Sequence, residues 1–314
     1  MNSPLAIFAY RRPEHLRRVV ESLLENPEAA ETNLTIFCDG AKSASDEEQV
    51  AAVRRYARTV EGFLTTTVVE RQGNCGLSKS ITEGVRELCE RYGRVAVVED
   101  DVVVSRHFLN WINRALDKYE FDDRVISVGC YVFSSDSALP ETFFLNITDC
   151  WGWAVWKRSW DLYEPDGTKL LNQLSQRGLM RHFDLEGAFP YANMLREQVA
   201  GRNDSWAVRW YATAVLTGGL TVYPGKSMTV NIGFDGTGVH CGLEQPYEAT
   251  LATRPVMVAD IDVAESSEGR RVWSLYLSGL SQRKPITSFL FRMKQWLRLR
   301  IRNRKSRGGM GDQQ

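Results

Sequence analysis

The stretch RVAVVEDDVVVS, from Arg94 to Ser105, places three acidic residues between two apolar, mostly β-branched runs. Apolar runs of this length are typical of buried strands. Carboxylates repel one another, and burying each of them costs several kcal/mol unless a cation or hydrogen bonds compensate. The stretch alone leaves two interpretations open, a solvated acidic turn at the end of a strand and a buried ligand-binding cluster.

Strands and helices alternate through the first half of the chain. Apolar and β-branched runs predict strands over residues 5–10, 34–40, 63–70, 94–100 and 125–131. Apolar residues at helical spacing predict a helix after each of the first four strands. Alternating elements with short connections indicate a parallel sheet with helices on both faces. We therefore predict an α/β fold with a Rossmann-like, mostly parallel sheet.

Polar residues follow three of these predicted strands. Asp39 ends the second strand, Glu99–Asp101 end the fourth, and AYRRP follows the first. In such sheets, ligands bind beyond the carboxyl ends of the strands. The position of the acidic triplet therefore favours a ligand site over a chance surface turn.

An acidic pair at the end of a strand is suited to hold a divalent cation that carries a diphosphate. Carboxylate oxygens suit Mg²⁺ or Mn²⁺, and a bound dication offsets the repulsion between like charges. Such a metal stabilises negative charge on a diphosphate leaving group. A separate carboxylate or histidine is then needed as a base for an acceptor hydroxyl.

Other nucleotide-binding and catalytic signatures are missing from the sequence. It has no Walker A pattern, no G-x-G-x-x-G after the first strand and no G-x-S-x-G elbow. The missing glycine fingerprint argues against a nicotinamide-dependent dehydrogenase. None of the six cysteines are two to four residues apart, so zinc-type spacing is absent as well.

The order of six motifs resembles that of GT-A-fold glycosyltransferases. The motifs are PLAIFAYRRPEHL, FCDG, VVEDDVVVSRHFLNW, CWGWAVWKRSW, NDSW and NIGFDGTGVHCG, and they span roughly residues 4–242. The resemblance is to the type represented by N-acetylglucosaminyltransferase I and to bacterial family 2-like sugar transferases. It implies a GT-A fold, a nucleotide-sugar donor and a divalent metal.

The resemblance also implies roles for the triplet and for two residues after other strands. Asp101 would ligate the metal, Asp100 would lie near the ribose and the metal's waters, and Glu99 would lie near the donor sugar. Asp39 would accept a hydrogen bond from a uracil base, and Arg11 would contact the nucleotide. From the residues alone, Asp39 is equally a turn former, and Arg11 a solvated charge at a helix start.

Two later residues match the family's catalytic and metal-binding positions. Asp204 in NDSW stands where the family has its catalytic base, although the family's acidic pair is here reduced to one acid. Asp204 is also a candidate N-cap for a helix that starts near Trp206. His240 stands near a late histidine that contacts the metal or diphosphate in the family. A loop histidine without a ligand is the alternative.

Four tryptophans are concentrated in DCWGWAVWKRSW, residues 149–160. We expect Trp156 and Trp160 in the core. Trp153, together with Trp206, is a candidate for lining an acceptor cleft.

The last part of the sequence differs in charge from the rest. Ten Lys or Arg and no acid lie between Arg283 and Arg307, so residues 1–282 carry a net charge of about −9. Apolar residues recur at helical spacing within this basic segment, a pattern typical of a helix that lies on an anionic membrane surface. Docking on its own domain or on a partner subunit is the alternative. Nucleic-acid binding is not expected, because the remainder of the chain is acidic.

The predicted organisation is one glycosyltransferase domain and a tail. The domain covers residues 1–282, with a nucleotide-sugar half at 1–140 and an acceptor half at 141–282. A basic amphipathic helix covers 283–314. No signal peptide or membrane span is predicted, so we expect a cytoplasmic protein with a peripheral position on the inner face of the cell membrane.

The predicted function is metal-dependent transfer of a sugar from a UDP-sugar to a glycan or lipid-linked glycan, with inversion. A sugar-1-phosphate nucleotidyltransferase is the alternative enzyme, but it requires a Gly-rich loop after the first strand, and FAYRRPEHL has no glycine. A catalytically inactive, carbohydrate-binding or membrane-tethered protein is the alternative that is not an enzyme.

Overall fold

The computed structural model describes residues 2–133, 139–235 and 249–280. In these ranges the strands are β1 Leu5–Ala9, β2 Asn33–Cys38, β3 Thr65–Glu70, β4 Arg94–Glu99, β5 Val102–Val104, β6 Val125–Gly129, β7 Thr142–Leu145, β8 Trp153–Trp156, β9 Leu220–Pro224 and β10 Thr229–Asn231. The α-helices that lie wholly within them are α1 Pro13–Leu24, α2 Glu47–Ala57, α3 Leu77–Tyr92, α4 Phe108–Lys118, α5 Lys157–Trp160, α6 Gly167–Gln176, α7 Met180–Phe183, α8 Tyr191–Val199 and α9 Trp206–Thr217. Residues 267–280 are also helical.

A mostly parallel sheet forms the centre of the molecule. Its strand order is β3-β2-β1-β4-β8-β6-β9-β7. β3, β2, β1 and β4 run parallel to one another, and β6 is parallel to β9. β8 is antiparallel to both of its neighbours, and β7 is antiparallel to β9. The α/β sheet expected from the sequence is therefore confirmed.

Both faces of the sheet are covered, which explains why its strands are apolar at consecutive positions. On β1, Leu5 and Ile7 pack with α1 and α4 on one face, whereas Ala6 and Phe8 pack with α3 on the other. Residues of α9 join α3 on the second face.

A third apolar cluster lies beside β7 and β9 and contains α6, α8 and the helix at 267–280. Trp273 from that helix is 4% exposed and packs against Tyr223 and Phe143. This helix leads directly into the predicted basic tail, which lies outside the described residues. Within the described ranges, no helix combines the length and the apolar character needed to cross a bilayer.

A two-stranded ribbon closes over the carboxyl end of β4. β5 follows β4 after a turn of two residues and pairs antiparallel with β10. The backbone N–H of Ile232, just after β10, donates to the carbonyl of Asp101 over 2.8 Å. The acidic triplet therefore lies between the main sheet and this ribbon, and not on an open surface turn.

Candidate active site

The three acids occupy the end of β4 and the turn after it. Glu99 is the last residue of β4 and pairs in register with Phe8 of β1. Asp100 and Asp101 are 4% and 6% exposed. The Asp100 carboxylate accepts a hydrogen bond from the backbone N–H of Tyr10 over 3.1 Å. This contact joins the triplet to the loop between β1 and α1.

Arg12 is the cation that compensates two of these buried charges. Its Nη2 donates to Asp100 Oδ1 and, over 2.9 Å, to Asp101 Oδ2. Its side chain is only 17% exposed. Pro13, in the first turn of α1, places Arg12 at the N-cap position, directly beyond the end of β1. Arg12 is thus held where the two carboxylates need a positive charge.

Two polar atoms of this cluster remain without a partner. Arg12 Nη1 and Asp101 Oδ1 are buried and make no hydrogen bond with any described residue. Gly233 leaves the space beside them, because a Cβ there would lie 2.2 Å from Asp101 Oδ2 and 3.0 Å from Arg12 Nη1. An unpartnered donor and an unpartnered acceptor side by side suit a ligand with both a cation and an anionic oxygen.

Burial and mutual repulsion govern the protonation of the triplet. Burial, followed by the charges of Asp101 and Asp100, raises the pKa of Glu99 well above its ordinary value. Burial also raises the pKa of Asp100, although Arg12 counteracts part of the shift. Burial opposes the charge of Arg12, but Asp100 and Asp101 outweigh it and raise the pKa of the guanidinium. The cluster therefore holds more negative charge than one arginine can offset.

The residues fit a metal that shares its ligands with a substrate. No three metal-ligating side chains converge within the described ranges. Mg²⁺, however, commonly binds one or two carboxylates together with phosphate oxygens. The free Oδ1 of Asp101 and the Glu99 carboxylate are suited to that pattern. His240, the other predicted metal contact, lies outside the described residues.

Arg11 points away from the triplet and toward another acid. Its Nη1 donates to Asp46 Oδ1 over 2.7 Å, and its side chain is 35% exposed. Tyr10 and Ser43 also donate to Asp46. The contact with Arg11, followed by that with Ser43, lowers the pKa of Asp46. A contact between Arg11 and a nucleotide stays a prediction.

Asp39 is buried at the end of β2 and holds the loop that precedes α3. Its Oδ1 accepts from the backbone N–H of Cys75 over 3.0 Å, and its Oδ2 accepts from that of Gly76 over 3.0 Å. The Asp39 side chain therefore organises the edge of the sheet next to the triplet. Recognition of a base by Asp39 stays a prediction. Of its two carboxylate oxygens, Oδ2 accepts fewer hydrogen bonds within the protein.

Asp204 lies beside the same loop. Its Oδ2 is 3.9 Å from the position that a Cβ would take at Gly76, and its side chain is 71% exposed. Asp204 is not the N-cap of α9, because Ser205 takes that position and its Oγ accepts from the Val208 N–H over 3.2 Å. The capping alternative is therefore wrong, and the catalytic role stays a prediction.

The tryptophans predicted to line an acceptor cleft belong to the core instead. Trp153 is 1% exposed and Trp206 is 3% exposed. Their rings stack on each other at 5.1 Å. Trp156 and Trp160 are buried as well, as the sequence predicts. We correct the cleft assignment: β8 is an interior strand of the sheet and α9 packs on it, so both indoles face protein.

Sequence reasoning missed two residues of this site, Arg12 and Asp149. The uncompensated charge of the triplet predicts a cation at a neighbouring strand end, but the sequence does not distinguish Arg11 from Arg12. Asp149 lies just before β8, and burial raises its pKa to about 7, while the N–H groups of Trp151 and Cys150 limit the rise. Its proximity to the triplet depends on the pairing of β8 with β4.

The mostly parallel sheet, flanked by helices and carrying acids at its carboxyl edge, is the GT-A fold of glycosyltransferases. A family model described as "Glycosyltransferase like family 2" matches residues 4–179. This match covers more than half of the 314 residues, and the chain belongs to that family. The predicted resemblance to GT-A-fold glycosyltransferases is confirmed, and a glycosyltransferase is favoured over a nucleotidyltransferase.

The chain has low similarity to several solved structures. The mannosyltransferase PcManGT from Pyrobaculum calidifontis, in complex with GDP-Man and Mn²⁺, is 14% identical, with a TM-score of 0.38 over 69% of this chain and 70% of that one. S. aureus TarS is 15% identical, with a TM-score of 0.33 over 46% of this chain and 25% of that one. The chain thus spans a quarter of the TarS structure. No curated protein has a significant match to the chain.

Replacing Arg12 tests whether it is the counter-charge of the triplet. Breaking a buried ion pair by removing one partner costs about 3–5 kcal/mol. We expect Arg12→Met to lower the free energy of unfolding by roughly 3 kcal/mol in chelator-treated protein, measured by urea denaturation. The loss should grow as the pH rises above the ordinary carboxyl range, because carboxyls with a raised folded-state pKa destabilise the fold as they ionise.

Arg11→Met is the matched control. Arg11 is more exposed than Arg12 and pairs with one acid, so its loss should cost at most about 1 kcal/mol. Equal and small effects of the two substitutions would contradict the role given to Arg12.

Proposed function

We propose that this glycosyltransferase transfers a sugar from a UDP-sugar to a saccharide or lipid-linked saccharide, and that it requires Mn²⁺ or Mg²⁺. The observation that supports this most directly is the pair of unpartnered atoms, Asp101 Oδ1 and Arg12 Nη1. A metal diphosphate satisfies both at once, because the carboxylate takes the cation and the guanidinium donates to a phosphate oxygen.

Each residue of the site has a role in this proposal. Asp101 would hold the metal, which would stabilise the negative charge that develops on the diphosphate leaving group. Arg12 donates to the same diphosphate while it keeps the two aspartates in place. Asp39 faces the uracil base, and Glu99 faces the donor sugar.

Asp204 acts as the general base. An exposed carboxylate suits this role, since an acceptor saccharide arrives from solvent and the proton must return there. The acceptor hydroxyl gives its proton to Asp204 and attacks the anomeric carbon as the bond from that carbon to the diphosphate breaks. One displacement of this kind inverts the anomeric configuration.

Release of UDP and binding of UDP test the donor and metal assignments together. We expect UDP-sugar turnover by the wild-type protein to depend on Mn²⁺ or Mg²⁺. Asp101→Asn should abolish metal-dependent binding of UDP, measured by titration calorimetry, and should leave the fold intact. Asp117→Asn, which changes an exposed acid on α4, is the control. Metal-independent turnover, or unchanged binding by Asp101→Asn, would overturn the metal assignment.

Asp204→Asn tests the base. General-base catalysis contributes about 10²–10⁴-fold, so kcat should fall by roughly that factor while UDP affinity stays unchanged. Ser205→Ala is the matched control, because loss of the α9 cap costs about 0.5–2 kcal/mol of stability without removing a base. Near-normal turnover by Asp204→Asn would exclude this residue as the base.

We also propose that the basic segment at 283–307 brings the enzyme to anionic membranes, where a lipid-linked acceptor would lie. Its ten Lys and Arg support this proposal. Each basic residue near an anionic surface contributes about 1 kcal/mol.

The full chain should co-sediment with vesicles that contain phosphatidylglycerol and should be released as salt rises. Replacing Arg298, Arg300, Arg302 and Arg304 by Gln should weaken this binding without changing turnover of a soluble acceptor. Failure of the wild-type chain to bind such vesicles would remove the membrane assignment.

A further inference from the structure

The chain segment that enters β8 passes beside the acids that leave β4. β4 and β8 are antiparallel, with Val97 opposite Trp153. Continuing this register past the end of β4 brings residues 149–151 to the side of residues 99–101. Electrostatic interactions support this placement, because the charge of Asp149 acts on Glu99, and the charges of Glu99 and Asp101 act on Cys150. A fourth carboxylate therefore lies at the edge of the sheet that carries the triplet.

The two oxygens of Asp149 have different environments. Oδ1 accepts from the backbone N–H of Cys150 over 2.7 Å and from that of Trp151 over 3.2 Å. These bonds shape the turn that leads into β8. The backbone N–H of Tyr131 also interacts with this carboxylate and lowers its pKa, but Oδ2 is buried and makes no hydrogen bond of normal geometry with a described residue.

The turn alone does not explain an aspartate at this position. A serine hydroxyl also accepts backbone N–H bonds in such turns, and an asparagine does so without a charge. A buried, unsatisfied acceptor costs about 1–3 kcal/mol, so Oδ2 lowers the stability of the free protein. Polar groups that are left unsatisfied in this way are often reserved for a ligand.

Aromatic rings lie close to Asp149 in the chain and in the fold. The Trp151 ring packs edge-on against Tyr131 at 4.8 Å and against Phe234 at 5.9 Å. Phe234 follows Gly233, the residue that leaves space beside Arg12 and Asp101. Aromatic rings and carboxylates thus lie in the same part of the fold, and a sugar ring has matching apolar faces and hydroxyls.

We propose that Asp149 Oδ2 binds a hydroxyl of the donor sugar and helps determine which sugar is transferred. This inference rests on the proposed function, and it deepens the donor site without involving the acceptor or the metal. The charge of Asp149 acts on Glu99, whereas Asp204 is exposed and lies by Gly76.

Asp149→Ser tests the proposal, because it keeps a turn acceptor and removes Oδ2. UDP-glucose, UDP-galactose, UDP-N-acetylglucosamine and GDP-mannose are the probes, and the best wild-type donor is then used for all variants. A hydrogen bond from a substrate hydroxyl to a charged group is worth roughly a ten- to hundredfold change in kcat/KM. We expect that loss with Asp149→Ser, while the affinity for UDP with Mn²⁺, measured by calorimetry, stays within about twofold.

Asp149→Asn is the conservative variant. It keeps hydrogen-bonding atoms at both positions, so it should recover part of the lost kcat/KM. It should also melt at or above the wild-type temperature at pH 8, because the wild-type carboxyl, with a pKa of about 7, is ionised and buried there. The melting temperature reports the ionised carboxyl, and the recovered kcat/KM at unchanged UDP affinity reports the bond to the donor.

Two results would overturn the inference. One is a wild-type kcat/KM for the donor in Asp149→Ser. The other is a loss of UDP affinity by the same factor as donor turnover, which would indicate a damaged loop. Failure of the proposed function is distinguishable from both, since the wild-type protein would then bind no nucleoside diphosphate and turn over none of the four donors.

Discussion

The contact between Arg12 and the Asp100–Asp101 pair is the constraint on which the active-site end of the molecule depends. Two carboxylates at the end of a buried strand are stable only if a positive charge is held close to them. Arg12 is held there because β1 is the neighbour of β4 in the sheet and because α1 starts immediately after β1. The order of the strands therefore determines which charges meet.

The same contact leaves the site prepared for a ligand. Arg12 compensates part of the negative charge, but Asp101 Oδ1 and Arg12 Nη1 remain unsatisfied, and Glu99 keeps a raised pKa. A site of this kind is held in shape before substrate binds. Its free energy falls most when a cation and an anion bind together. A metal-bound diphosphate has this combination of charges, which is why a family 2 glycosyltransferase fits these residues.

Stability and function compete at this edge of the sheet. Asp149 and Glu99 are half-buried acids whose pKa values are raised, so each destabilises the free protein when it ionises. The large apolar clusters on both faces of the sheet supply the stability that allows such residues to persist. For these two acids, that cost lies between β4, β8 and the β5–β10 ribbon.

From the sequence alone, the alternation of strands and helices, the mostly parallel sheet and the acids at its edge could be predicted. Local apolar spacing and strand-end position carry that information, and neither depends on distant partners. Tertiary structure decided that Arg12, and not Arg11, meets the triplet, because the two adjacent side chains leave the backbone in different directions. It also decided that Trp153 and Trp206 are core residues and that Asp149 lies beside Glu99. Those outcomes follow from the register between β4 and β8 and from the packing of α9, which join segments far apart in the chain, and hydrophobic pattern alone does not encode them.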